Sequence, residues 1–359
     1  MSRRFVYYGA GRSLTDYPEW QENNIDGSIF LSALQNDIKP FNDANIDLIG
    51  NFLGTDKWLG GVLAPNGKIY CVPFNSTQIL VIDPSNNTTQ LIGSFTGTFK
   101  WAGGVLAPNG KIYCVPINST QILVVDPSNN STQLIGSLGS GSKWLGGVLA
   151  PNGKIYCVPF SSTQILVIDP SNNTTQLIGN FIGTAKWLGA VLAQNGKIYC
   201  VPFRSTQILV IDPSDNTTQL IGNFTGADKW QGGVLAPNGK IYCVPFASNQ
   251  ILVIDPSNNT TQLIGGFTTG VTWAGGVLAP NGKIYCAPFG SSQVLVIDPS
   301  NNTTQLFGSF ISTNKWQGGI LAQNGKIYFV PRNATEVLAI GDTQNQNINK
   351  VLSRYLNKF

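Results

Sequence analysis

Residues 57–99 read KWLGGVLAPNGKIYCVPFNSTQILVIDPSNNTTQLIGSFTGTF, and the chain then repeats almost the same stretch. Trp58, Trp101, Trp144, Trp187, Trp230, Trp273 and Trp316 recur at a constant step of 43 residues. Tyr70 and its equivalents up to Tyr328 keep that step. A period of about 40–45 residues holding four short strands is the signature of a propeller blade. Within one period, Gly60–Ala64 is small enough for a crowded innermost strand. Ile69–Phe74 and Ile79–Ile82 are apolar on both faces, as strands packed between neighbouring sheets must be. Thr88–Ile92 is the most polar run and suits an outer strand. Pro65-Asn66-Gly67 forms a tight hairpin, with Pro presetting φ and Gly supplying φ > 0. Asp83-Pro84-Ser85-Asn86-Asn87 forms a second turn through local Asp and Asn hydrogen bonds. Gln194 and Gln323 replace the turn proline in two copies.

The two ends of the repeat complement each other. Asn45–Phe52 matches a fourth strand whose first three are missing, and Lys315–Ile340 supplies three strands without a clear fourth. The expected fold is therefore all-β: a seven-bladed β-propeller of 43-residue repeats over residues 45–341. One N-terminal outer strand and three C-terminal strands close its ring. Residues 1–44 lie outside the repeat and read as a docking arm. Residues 342–359 place Ile348, Val351, Leu352, Tyr355 and Leu356 at helical spacing, which predicts a short amphipathic C-terminal helix. Both flanks are expected to attach the ring to a larger assembly.

Composition narrows the function. The chain of 359 residues is 42% hydrophobic and only 11% charged, with 40 glycines, which suits a turn-rich all-β protein. There is no histidine, the commonest general base and metal ligand. Neither a metal nor another cofactor is expected. The six cysteines share one repeat position, so equivalent atoms in adjacent blades should exceed the roughly 7 Å limit for a bridge. Reduced, buried cysteines point to synthesis in a reducing cytoplasm. MSRRFVYYGAGRSL lacks the apolar run of a signal peptide, and no stretch reaches the roughly 18 apolar residues of a membrane span. A net charge of +4, from 22 bases and 18 acids, is too modest to suggest nucleic acid.

The internal copies differ mainly on one side. In a propeller the PNG and PSNN turns share one face, and these barely change. The loops on the other face vary, as at Asn75, Asn118, Ser161, Arg204, Ala247, Gly290 and Asn333. Loops that diversify on a rigid frame suit binding. The pairs Lys57–Trp58, Lys100–Trp101, Lys143–Trp144, Lys186–Trp187, Lys229–Trp230 and Lys315–Trp316, with Trp273, Arg204 and Arg332, lie toward this variable face. As candidate binding residues they would form a basic, aromatic rim that grips an anionic glycan or a protein partner. Against this stands the reading that a residue present in every blade is part of the blade, with each Trp wedged between blades and each Lys only solubilising the rim.

No nucleophile elbow, P-loop or metal cluster occurs, so a binding role rather than an enzyme is expected. The NGKIY-type strands resemble those of the NHL, YVTN and gluconolactonase-like propeller groups. The resemblance, over residues 45–341, implies the fold. Some members are lyases or lactonases, but their metal and histidine ligands are not matched here. The expected role is recognition within a larger assembly, such as a phage or virion tail or baseplate binding a host surface polysaccharide. The alternatives are an intracellular protein-interaction scaffold and, less favoured, a lyase or lactonase.

Overall fold

A computed structural model describes residues 46–268, 270, 272–311 and 315–341. The proposed helix at 342–359 and the arm at 1–44 lie outside the described residues. Strands are numbered in chain order from β1 (Ile46–Ile49). Blade 1 comprises β2 (Trp58–Leu63), β3 (Ile69–Pro73), β4 (Ile79–Asp83) and β5 (Thr88–Ile92). Blades 2 to 6 repeat this as β6–β9 (101–135), β10–β13 (144–178), β14–β17 (187–221), β18–β21 (230–264) and β22–β25 (273–307). Blade 7 consists of β26 (Trp316–Leu321), β27 (Ile327–Pro331), β28 (Val337–Ile340) and β1. Every sheet is four-stranded and antiparallel, and the ring closes as expected, with β1 pairing β28 in the register Ile46↔Ile340 to Ile49↔Val337.

Burial follows the radial order. In blade 1, β3 and β4 are almost wholly buried, while β5 exposes most of its residues. The apolar cores lie between blades: Tyr70, Val72, Ile79 and Val81 of blade 1 pack with Trp101, Ile112, Cys114 and Leu123 of blade 2. This arrangement explains the free cysteines. Cys114 belongs to that core, whereas Cys71 faces blade 7 in the next one, so adjacent cysteines occupy different interfaces.

Two devices hold the blades in register. On the inner strands, glycines touch: a Cβ on Gly60 would lie 3.2 Å from the Cα of Gly103, and the contact passes blade by blade to Gly318 and back to Gly60. These residues sit at φ near +80°, a region that only glycine enters freely. On the face of the PNG and PSNN turns, Asn66 Nδ2 donates to Pro127 O at 2.8 Å, and Tyr70 Oη donates to Asn130 Oδ1 at 2.7 Å. The closing seam uses the same staple, from Asn324 to Pro84 O and from Tyr328 to Asn87.

Candidate functional site

The lysines and tryptophans do not form a rim. Trp58 is the first residue of β2, and a bulge separates it from Gly61. It is 2% exposed, its Nε1 donates to Gln78 O, and Phe52 meets its ring edge-on at 5.3 Å. Trp101, Trp144, Trp187, Trp230, Trp273 and Trp316 are equally buried and make the same Nε1 bond. The wedge reading is the one the structure shows. An indole is large and mostly apolar, so the gap between two sheets is its most favourable place.

The lysine ring is interior as well. Lys57 is 4% exposed, and its Nζ donates to Gly54 O, Arg332 O and Ala334 O at 2.8, 3.2 and 2.9 Å. Lys100, Lys143 and Lys186 each join their own loop to the preceding blade through carbonyls. Lys229 reaches Gly226 O, and Lys315 reaches Ser291 O. An ammonium has three donors and no acceptor, which suits the carbonyl-rich gap between two loops. Burial pushes Lys57 down to about 8, with Asp56 opposing the shift, and lowers the other five in the same direction. Sequence spacing put these residues on the correct face but could not show their depth. The two arginines of the expected rim are paired: Arg204 with Asp228, and Arg332 with Asp56.

What occupies the middle of the variable face is apolar. The residue after the β3 proline is Phe74 in blade 1, then Ile117, Phe160, Phe203, Phe246 and Phe289, with Arg332 in blade 7. Neighbouring rings sit 5.4–6.2 Å apart from Phe160 to Phe289. Arg332 completes the circle, its guanidinium 5.2 Å from the Phe289 ring and 5.8 Å from Phe74. Leu59, Leu145 and Leu188 join this cluster. The equivalent residues in blades 5 and 7 are Gln231 and Gln317, both buried, and Gln317 Oε1 accepts from Arg332 Nη1 at 2.7 Å. Sequence reading overlooked the collar and Gln317, and noted Gln231 only as a variable position of this face. The signal was available, since Gln stands where other blades carry Leu or Ala, and Arg where they carry Phe.

Around the collar, three loops present large aliphatic tips: Leu53, Ile182 and Ile311 are 82%, 92% and 95% exposed. Thr96, Gly139, Thr225 and Thr268 fill the same place elsewhere. On the opposite face, Lys68 pairs with Asp83 at 3.3 Å, a contact repeated in blades 2 to 6. Hydrogen bonds from Ser85 and the Lys68 ammonium hold the Asp83 carboxyl below its usual range. Burial raises the six thiols. Among the described residues no three His, Cys, Asp or Glu side chains gather as a metal site.

No protein-family model matches the chain, and no curated protein matches it in sequence. Solved structures match its fold. Virginiamycin B lyase from Staphylococcus aureus superposes with a TM-score of 0.73 at 13% identity, covering 83% of this chain and 99% of the lyase. Hydrazine synthase from Kuenenia stuttgartiensis gives 0.61 at 13% identity, over 81% and 97%. An extracellular domain from B. thetaiotaomicron gives 0.62 at 12% identity, over 82% and 40%. At such identities the likeness establishes the propeller and nothing about chemistry.

Proposed function

We propose that this chain is a non-catalytic binding propeller, part of a larger assembly, whose variable face docks a protein partner. The observation that carries the reading is the set of three exposed tips, Leu53, Ile182 and Ile311, around the phenylalanine collar. Burying one such aliphatic side chain gains about 1.5–3 kcal/mol. Threonine or glycine at the same loop in four other blades shows that the fold itself does not need them. The anionic-glycan reading of this face loses its cations, because the lysines are bonded to carbonyls and both arginines are paired with aspartates. A virion tail or baseplate is one such assembly, joined through residues 1–44 or 342–359. A lyase reading after the S. aureus neighbour is weaker: a histidine-to-alanine variant of that lyase is catalytically inactive, and this chain has no histidine.

The test is the combined variant Leu53→Thr, Ile182→Thr and Ile311→Thr, which uses the residue that other blades carry. The partner is isolated by crosslinking and co-purification with the wild-type chain, then titrated against both proteins. Affinity is expected to fall at least about 100-fold. Equal affinity for the two proteins overturns the reading.

A further inference from the structure

The opposite face carries a second departure from the repeat. Gln194 and Gln323 replace the turn proline in blades 4 and 7 alone. Each reaches over the turn of the next blade: a Cβ on Gly239 would lie 3.5 Å from Gln194 Oε1, and one on Gly67 would lie 3.4 Å from Gln323 Oε1. Where proline precedes, the corresponding Gly110, Gly153, Gly196 and Gly282 have nothing within 4 Å. Between blades 4 and 5, beside Gln194, lies a groove of about 400 Å³ lined also by Asn195, Asn238, Gly239, Asp255, Pro256 and Ser257. That volume lies within the range of small-molecule sites. The seam between blades 7 and 1 sets Gln323, Asn324, Asn66, Asp83 and Ser85 at the equivalent positions.

The lining defines a chemistry. Asn195 and Asn238 are fixed by bonds to Pro256 O and Pro299 O, so they form a rigid floor. Asp255 accepts from Ser257 and faces Lys240, which cancels its charge. Gln194 makes no hydrogen bond to the rest of the described protein, and its planar amide offers one donor and one acceptor edge. The surface therefore sets side-chain amides, one hydroxyl and a charge-paired carboxylate beside the apolar ring of Pro256. Such a mixture matches an uncharged sugar, whose hydroxyls meet the amides and the carboxylate while its C–H face meets Pro256. We infer that Gln194 and Gln323 mark two equivalent subsites for a sugar residue of a neutral glycan. These subsites are independent of the protein-docking face.

Isothermal titration of the full chain with maltopentaose, cellopentaose and chitopentaose tests this. Wild type is expected to bind at least one of them at two sites per chain. Gln194→Ala and Gln323→Ala are each expected to leave one site and to weaken the other about tenfold. Gln194→Pro with Gln323→Pro restores the turn of the other five blades and removes both sites while keeping the melting temperature. Absence of binding to all three sugars at millimolar concentration overturns the assignment, as does unchanged stoichiometry in the double variant. The threonine variant of Leu53, Ile182 and Ile311 retains both sugar sites, so failure of one proposal is distinguishable from failure of the other.

Discussion

Replacing Lys57 by methionine keeps the aliphatic stem and removes the ammonium. In the native protein that ammonium satisfies three carbonyls: Gly54 O on the loop entering blade 1, and Arg332 O and Ala334 O on blade 7. Leaving a buried acceptor without its donor costs about 1–3 kcal/mol. Three such losses are offset by no longer burying a charge and by water reaching the loop, so the net cost is about 3 kcal/mol. For a domain of this size that is a fall in melting temperature of about 5 °C. Lys57 bridges the seam at which the two chain ends meet, so the loss acts where the ring closes. Circular dichroism melts, with limited proteolysis of the blade 1 loop, measure it. A melting temperature within 1–2 °C of wild type, roughly the shift that a surface change gives, would refute the structural role of the lysine ring. It would return those residues to the list of binding candidates.

Further outcomes follow from the same contacts. The Lys57 ammonium is held near pKa 8 by burial, against 10.5 for its ordinary value. Between those limits the unfolded chain binds more protons, so stability should rise as pH climbs from about 8 to about 10.5, and Lys57→Met should flatten the rise. Urea midpoints across that range check both. Gly146→Ala puts a Cβ 3.3 Å from the Cα of Gly189 at φ +81°, whereas Gly153→Ala meets nothing within 4 Å at φ +79°. The second should cost about 1 kcal/mol for the left-handed backbone alone, the first about 2–3 kcal/mol. Equal losses would deny that the glycine ring is a close-packed contact. Cys157 is fully buried with its thiol raised by desolvation, so native protein should resist iodoacetamide that labels all six cysteines in denaturant.

The fold was legible because a 43-residue period repeats both its apolar strands and its turn residues, so each copy tests the others. Ring closure was legible for the same reason, since Asn45–Phe52 could only be a fourth strand in want of three others. The site was not, because period gives radial order and face but not depth. Trp58 looks like a rim residue beside Lys57, but the bulge between Trp58 and Gly61 swings the indole into the gap between sheets. The lysine is misread for the same reason. Its charge suggests solvent, and only the positions of the carbonyls of Gly54 and Ala334 show where the ammonium goes. Arg204 and Arg332 look unpaired until the ring is assembled, because Asp228 and Asp56 come from the next blade.

Near-identical blades create a register problem at closure, and the charges of the seam address it. A fourth strand such as β1 could pair with the third strand of any blade, in its own chain or in another. Blades 1 to 6 each pair the lysine of the second strand with an aspartate ending the third, as Lys68 does with Asp83. Blade 7 has Gly341 at that aspartate position, so Lys326 takes Asp47 of β1 instead, at 2.6 Å, where the other fourth strands carry glutamine. Paired anywhere else, β1 would place Asp47 near a lysine already neutralised and leave Lys326, 15% exposed, beside a glutamine. The preference is about 1 kcal/mol, the scale of a partly exposed pair, yet it separates β1 from its near-copies. Asp47→Gln makes β1 match the repeat. It should raise the fraction of chains that close on one another, seen as dimers and larger rings by size-exclusion chromatography with light scattering after refolding. A refolded variant that stays as monomeric as wild type at the same concentration would show that the apolar register of Ile46 and Ile49 alone selects β28.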